Sequence, residues 1–226
     1  VGARITFLQH SDSDVPGLLG ALAGELGLDV TVSRPDRQES GLPRVDSFDL
    51  LVVMGSIESV YDRSVPWIAP ERALVSRAVD DGKPVLGICF GGQLLADVLG
   101  GTVTRASRTE IGWGTVDTLD PGRIGPGPWL NWHDDAFTCP PGAEALATSP
   151  VSLQAFVDGP HTGVQFHPEV TRSVVDLWID DARDRDGVTD EDARTLLAGF
   201  DADGFGPVDQ TRMLLDGFLT RADALN

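Results

Sequence analysis

Between residues 3 and 101 the chain alternates short apolar runs of strand type with longer stretches whose apolar residues recur at helical spacing. Residues 3–8, ARITFL, read as a strand, and residues 16–27, with Leu and Ala at helical intervals behind Pro16, read as a helix. Residues 28–33 are strand-like again. The run FDLLVVMG at 48–55 is continuously apolar, the pattern of a central strand covered on both faces. Beyond a loop containing Tyr61 and Trp67, residues 70–81 are helical in pattern and residues 83–88 read as another buried strand. Strands that alternate with helices in the order β-α-β-β-α-β predict an α/β protein with a mainly parallel sheet.

At 89–101 a tight turn, Cys89-Phe90-Gly91-Gly92, leads into the helical stretch QLLADVLGG, which Gly100 and Gly101 close. From 102 to about 169 the pattern shifts to short strand-like pieces between Gly/Pro turns, as in an antiparallel section at the edge of a parallel sheet. The part from about 170 to 226 is acidic and mostly helical in pattern. The chain carries no internal repeat, no low-complexity segment and no interdomain linker.

Composition narrows the functional classes. With 226 residues, 41% hydrophobic and 23% charged, the chain can bury a sizeable core, and no apolar run approaches the roughly 20 residues that span a bilayer. Its 17 basic residues against 35 acidic ones give a net charge of −18, and no Lys/Arg cluster offers the basic face that nucleic acid requires. Lys83 is the sole lysine, and its Asp-Gly-Lys-Pro context lacks the spacing of a phosphate loop. No basic segment followed by an apolar stretch and a cleavage site stands at the N-terminus, so the expected location is the cytoplasm. The two cysteines, Cys89 and Cys139, are expected as free thiols.

Gly87-Ile88-Cys89-Phe90-Gly91 has the form G-x-nucleophile-x-G at the end of a buried strand, a nucleophile elbow. The turn would put Cys89 at a helix N-terminus, where the dipole and unpaired N–H groups favour a thiolate and receive an oxyanion. The same pentapeptide also fits a small buried cysteine with glycines for close packing. A nucleophilic cysteine needs a base, and the sequence offers only His10, His133, His161 and His167. His167 follows a strand-like run and stands two residues before Glu169, a carboxylate that can hold the imidazole. Alone, each of these residues also has a plain structural explanation; together they point to nucleophilic catalysis.

The segments VVMG at 52–55, KPVLGICFGGQLLADVLGG at 83–101, EIGW at 110–113 and GVQFHPEV at 163–170 resemble the class I (triad-type) glutamine amidotransferases, especially stand-alone glutaminases related to the amidotransferase domain of GMP synthase. The resemblance implies a three-layer α/β/α fold with a mainly parallel, flavodoxin-like central sheet and a small antiparallel section, formed by residues 1–226 as a single domain. It implies Cys89 as nucleophile, His167 as general base and acid, and Glu169 as orienting carboxylate, with backbone N–H groups of Gly55 and Phe90 as the oxyanion hole. Gln93 matches a glutamine-contacting position, and the segment Asn131-Trp132-His133-Asp134-Asp135 resembles a loop that lines the glutamine pocket, which makes His133 and Asp134 substrate-binding candidates. Gly92 departs from the pattern, since many members carry His or Met there.

The implied reaction hydrolyses the side-chain amide of L-glutamine through a γ-glutamyl thioester and passes ammonia to a separate synthetase subunit or acceptor, with no metal or organic cofactor. A γ-glutamyl hydrolase using the same triad on γ-glutamyl amides is the alternative within the enzymes, and a non-catalytic regulatory or binding subunit is the alternative outside them. A catalytic His133 competes less well than His167 for the base role. Cys139, His10 and His161 are assigned no chemistry. Trp129 and Trp132 fit either a docking surface or local packing. Residues 180–187, DDARDRDG, fail as a calcium loop, because aligning Gly187 with the loop glycine puts Ala182 and Ala193 at the first and last ligand positions. They read instead as a solvated helical face and turn, and Asp201-Ala202-Asp203-Gly204 is too short for a metal site.

Overall fold

The structure is a computed structural model and describes residues 2–37, 41–186, 188–200 and 207–223. Its first half runs β1 (Arg4–Leu8), α1 (Gly17–Glu25), β2 (Asp29–Ser33), β3 (Leu50–Val53), α2 (Ile68–Asp80), β4 (Val85–Ile88) and α3 (Phe90–Val98). Then come β5 (Val103–Gly114), β6 (Asp117–Thr118), β7 (Trp129–Phe137), β8 (Glu144–Thr148), β9 (Leu153–Asp158) and β10 (His161–Val164). Three helices follow, α4 (Arg172–Asp186), α5 (Asp190–Ala198) and α6 (Pro207–Asp223).

One sheet has the order β2-β1-β3-β4-β10-β9-β8-β6. Its first five strands are parallel, and β9, β8 and β6 extend it antiparallel at one edge. β5 and β7 form a separate antiparallel pair. The expected mainly parallel α/β architecture with a small antiparallel section is therefore the fold observed.

The continuous apolar runs explain this layering. Every residue of β3 and β4 is buried, because alternate side chains leave for opposite faces and each face is covered by helices. Leu50 and Val52 join Ile5, Phe7 and the apolar residues of α1 and α6 on one side, while Leu51 and Val53 join α2 and α3 on the other. Each such fully buried Leu or Val side chain stabilises the fold by roughly 1.5–3 kcal/mol. A third cluster packs α4 and α5 against Leu130 and Val170.

One detail corrects an expectation, and another decides between two that were open. The segment 131–135, expected as a loop, is the middle of β7: it pairs with β5, and Asn131, His133 and Asp135 face inward in strand alternation. Trp129 is buried and stacks on Phe166, with ring centroids 4.3 Å apart, so this tryptophan packs the core rather than forming a surface. Of the acidic stretch at 180–187, residues up to Asp186 lie in α4, whereas Gly187 and Asp201–Gly204 fall outside the described residues. Among the described residues no group of three His, Cys, Asp or Glu side chains is placed to hold a metal ion. No described helix is long and apolar enough to cross a membrane.

Candidate active site

β4 ends at Ile88 in the centre of the sheet and α3 starts at Phe90, which leaves Cys89 alone to turn the chain. Cys89 takes φ 51° and ψ −109° and is the one described non-glycine residue with positive φ. Such a conformation costs on the order of 1–3 kcal/mol and persists only where the surroundings impose it. Gly91 imposes much of it. A Cβ there would lie 2.0 Å from the Val53 carbonyl oxygen, so only glycine lets α3 sit this close over β3. Backbone bonds from Cys89 N–H to Val164 O (2.8 Å) and from Gly91 N–H to Met54 O (3.2 Å) fix the turn between its neighbours. A Cβ at Gly92 would meet Val164 O at 2.4 Å, so glycine is the residue this close approach of α3 to β10 admits.

β10 is the parallel neighbour of β4 and carries the chain into Gln165, Phe166 and His167 above the same sheet edge. His167 is held by its own N–H to Leu130 O at 2.9 Å, and its Nδ1 donates to Glu169 Oε1 at 2.7 Å. Both side chains are buried. With Nδ1 bonded to the carboxylate, the free nitrogen is Nε2, which is buried and makes no hydrogen bond among the described residues. Burial pulls the imidazole pKa down, but the charges of Glu169 and of the Cys89 sulfur outweigh it and hold His167 well above the ordinary histidine value.

Phe90 is the first residue of α3, so its N–H belongs to the set that a helix leaves unpaired. Gly55 stands just past β3. A Cβ on it would lie 3.1 Å from His167 Cε1 and 3.8 Å from Cys89 Cβ, so the bare Gly55 backbone borders both side chains. Gln93, one turn into α3, is buried and donates through Nε2 to Asp135 O at 3.1 Å and to Gln165 Oε1 at 3.3 Å. Cys89, Gln93, His133, Asp134 and His167 line one cavity of about 280 Å³. The expected site residues are thus gathered at one place.

His133 takes part differently from His167. Its Nδ1 bonds Asp135 O at 2.9 Å, while its Nε2 lies 3.1 Å from Glu110 Oε2 without making a hydrogen bond among the described residues. Burial pushes its pKa below the ordinary value. Glu110 Oε2 also accepts from Ser149, Ser152 and Gln154, which ties the EIGW segment to the edge of β9. Asp134 is more exposed, accepts from Thr109 and pairs with Arg105 at 3.2 Å.

Three contributors were not foreseen from the sequence. Gln165 is fully buried and donates from Nε2 to Cys89 Sγ at 3.6 Å. Trp178, from α4, meets the His167 ring edge-to-face at 4.7 Å and donates its N–H to Ser13 O at 3.0 Å. His10 lies behind Gly55, bonded to its carbonyl oxygen and to Glu71. Gln165 was visible within GVQFHPEV but carried no chemical signature of its own. Trp178 and His10 come from distant segments that only the fold brings together.

Fold and site define an α/β protein with a cysteine, histidine and glutamate grouped at a tight strand-to-helix turn. Residues 17–177 match the family described as Glutamine amidotransferase class-I, and the chain belongs to that family. Among curated relatives, the protein named GMP synthase [glutamine-hydrolyzing] from Parafrankia sp. is 36% identical over 54% of this chain and 24% of its own length. Its namesake from Thermus thermophilus is 40% identical over 57% of this chain and 26% of its own length. The chain thus spans about a quarter of the length of these relatives. Among solved structures, a glutamine amidotransferase from Thermotoga maritima superposes with TM-score 0.86 at 26% identity over 98% of both chains. Another, from Methylobacillus flagellatus, gives 0.83 at 26% identity over 98% of this chain and 96% of that one.

Proposed function

We propose that the chain is a glutaminase that hydrolyses the side-chain amide of L-glutamine through a thioester on Cys89. The observation that carries this reading is the conjunction of a strained Cys89 at a helix N-terminus with a buried His167 whose other nitrogen is bonded to Glu169. The Cys89 thiolate attacks the amide carbon, and the N–H groups of Gly55 and Phe90 receive the oxyanion, each donor being worth about 3 kcal/mol in comparable sites. Protonated His167 gives its Nε2 proton to the departing nitrogen, which leaves as ammonia. Neutral His167 then takes a proton from water, the hydroxide attacks the γ-glutamyl thioester, and glutamate leaves as the thiolate returns. Glu169 keeps the imidazole in the tautomer and orientation that both steps need.

Substrate recognition follows from the same cavity. Arg105 and Asp134 form an ion pair on its wall, a complementary partner for the carboxylate and ammonium of an amino-acid head group. Gln93 lines the same cavity and donates to Asp135 O. Relatives whose names join glutamine hydrolysis to a synthase support delivery of the ammonia to a separate synthetase subunit or other acceptor.

The test is glutamate release from L-glutamine and from a γ-glutamyl dipeptide, by the unmodified chain and by Cys89→Ala. Turnover of L-glutamine that falls by about 10³-fold or more in Cys89→Ala is the expected result. Turnover of the dipeptide alone would reassign the chain as a γ-glutamyl hydrolase, and equal turnover by both proteins would refute the mechanism.

A further inference from the structure

Behind the proposed oxyanion hole lies a second histidine and carboxylate that the reaction above does not use. His10 follows β1 and Glu71 sits in the first turn of α2, and both side chains are fully buried. His10 Nε2 lies 3.0 and 3.1 Å from the two Glu71 oxygens, and its Nδ1 lies 2.7 Å from Gly55 O. The ring is stacked on Trp67 at 4.7 Å and meets the Phe90 ring edge-on at 5.1 Å. His10 therefore touches both residues whose N–H groups are assigned to the oxyanion. Facing acceptors on both sides, it donates from both ring nitrogens as an imidazolium paired with Glu71. Burial opposes that charge, and Glu71 together with the Gly55 carbonyl overcomes the opposition.

A buried ion pair of this kind contributes little net stability, because desolvation offsets its attraction, and apolar residues of similar volume often do as well. What the pair supplies here is direction. Gly55 has no side chain to restrain its φ and ψ, and the space a Cβ would need borders the His167 ring. Each flanking peptide is planar and has a hydrogen bond to its carbonyl. Met54 O accepts from Gly91 N–H at 3.2 Å, and Gly55 O accepts from His10. With both planes fixed, the Gly55 N–H has one direction.

We infer that His10, held by Glu71, is a positioning residue: by fixing the Gly55–Ser56 peptide it holds Gly55 from its C-terminal side, while Gly91 holds the Met54–Gly55 peptide that carries the Gly55 N–H, and the two bonds together keep that N–H aimed at the developing oxyanion. This rests on the glutaminase reading above. The inference predicts a loss confined to steps that build an oxyanion. Displacement of iodide from iodoacetamide by the Cys89 thiolate, which forms the C–S bond and breaks the C–I bond at a saturated carbon, builds none.

The test compares two double variants of the full chain, His10→Phe/Glu71→Met and His10→Asn/Glu71→Met. Both replace the ion pair, which protects folding. Only the Asn side chain retains a donor near the place of Nδ1 for Gly55 O. The Phe variant is expected to lose about 10²-fold in kcat, the scale of a lost or misdirected oxyanion donor, with KM and the iodoacetamide rate at Cys89 changed by less than about three-fold. The Asn variant is expected to recover about ten-fold or more of that loss. Wild-type kcat in the Phe variant, or equal losses of kcat and alkylation in both variants, would overturn the inference alone. Unmodified protein that is alkylated at Cys89 but releases no glutamate would overturn the glutaminase reading and the inference with it.

Discussion

Three residues in the site depend on what they lack or cannot move. Cys89 keeps its positive φ because Gly91 allows α3 to approach Val53. Gly55 leaves room for the His167 ring, and a Cβ there would stand 3.1 Å from Cε1. Gly55→Ala is accordingly expected to overpack the site at a cost of about 1–3 kcal/mol in stability. Its effect on rate should be larger, about ten-fold or more in kcat, because the imidazole must shift from its place beside Cys89. Thermal unfolding and glutamate release measured on the same preparation check both numbers, and an unchanged kcat would show that Gly55 does not border the reacting groups.

At the scale of elements, α5 gives a clean control. Thr189 accepts from Asp192 N–H, and the Asp192 carboxylate accepts in return from the Thr189 backbone, a complete capping box. Thr189→Ala should remove about 1 kcal/mol, which lowers the thermal midpoint by roughly 2–4 °C. Since no residue of α5 lines the cavity, glutamate release should stay at the wild-type rate. The elements also show what was legible in the chain. β3 and β4 were readable as central strands because both faces are covered, so their apolar runs are unbroken. β7 was not, because its inward positions include the polar residues Asn131, His133 and Asp135, of which His133 and Asp135 line the cavity. A local reader sees polar residues and infers a loop. Cys89, His167 and Glu169 announced themselves through spacing within short motifs, whereas the pairing of His10 with Glu71 spans 61 positions and two elements. No local pattern encodes such a contact.

At the scale of the whole molecule, the C-terminal helices are built into the site. Trp178 of α4 covers His167, and Thr211 of α6 donates to the carbonyl of Pro168 at 2.8 Å, between His167 and Glu169. Protonation links the site to stability. His10 and His167 have pKa values raised above the 6.5 of an unperturbed histidine. The stability they contribute is full below that value and is lost as pH rises through their folded values. His133 and His161 are lowered by burial, so their neutral forms lose stability as pH falls below 6.5. Asp49, held down to about 2 chiefly by its hydrogen bond from Arg4, adds a loss confined to the range from 3.8 down to about 2. Urea midpoints should therefore decline as pH rises above 6.5, and the decline should be shallower in His10→Phe/Glu71→Met. A midpoint that rises across that range would contradict the charged state assigned to the two histidines.

The central claim is that Cys89 attacks the carbonyl carbon of a bound glutamine. Its most direct test is intact-protein and peptide mass after incubation with a diazo-ketone analogue of glutamine, with and without competing L-glutamine. The account predicts a single adduct on Cys89 that excess L-glutamine prevents and that Cys89→Ser fails to form. An adduct on Cys139, or no adduct in protein that turns over glutamine, would contradict it.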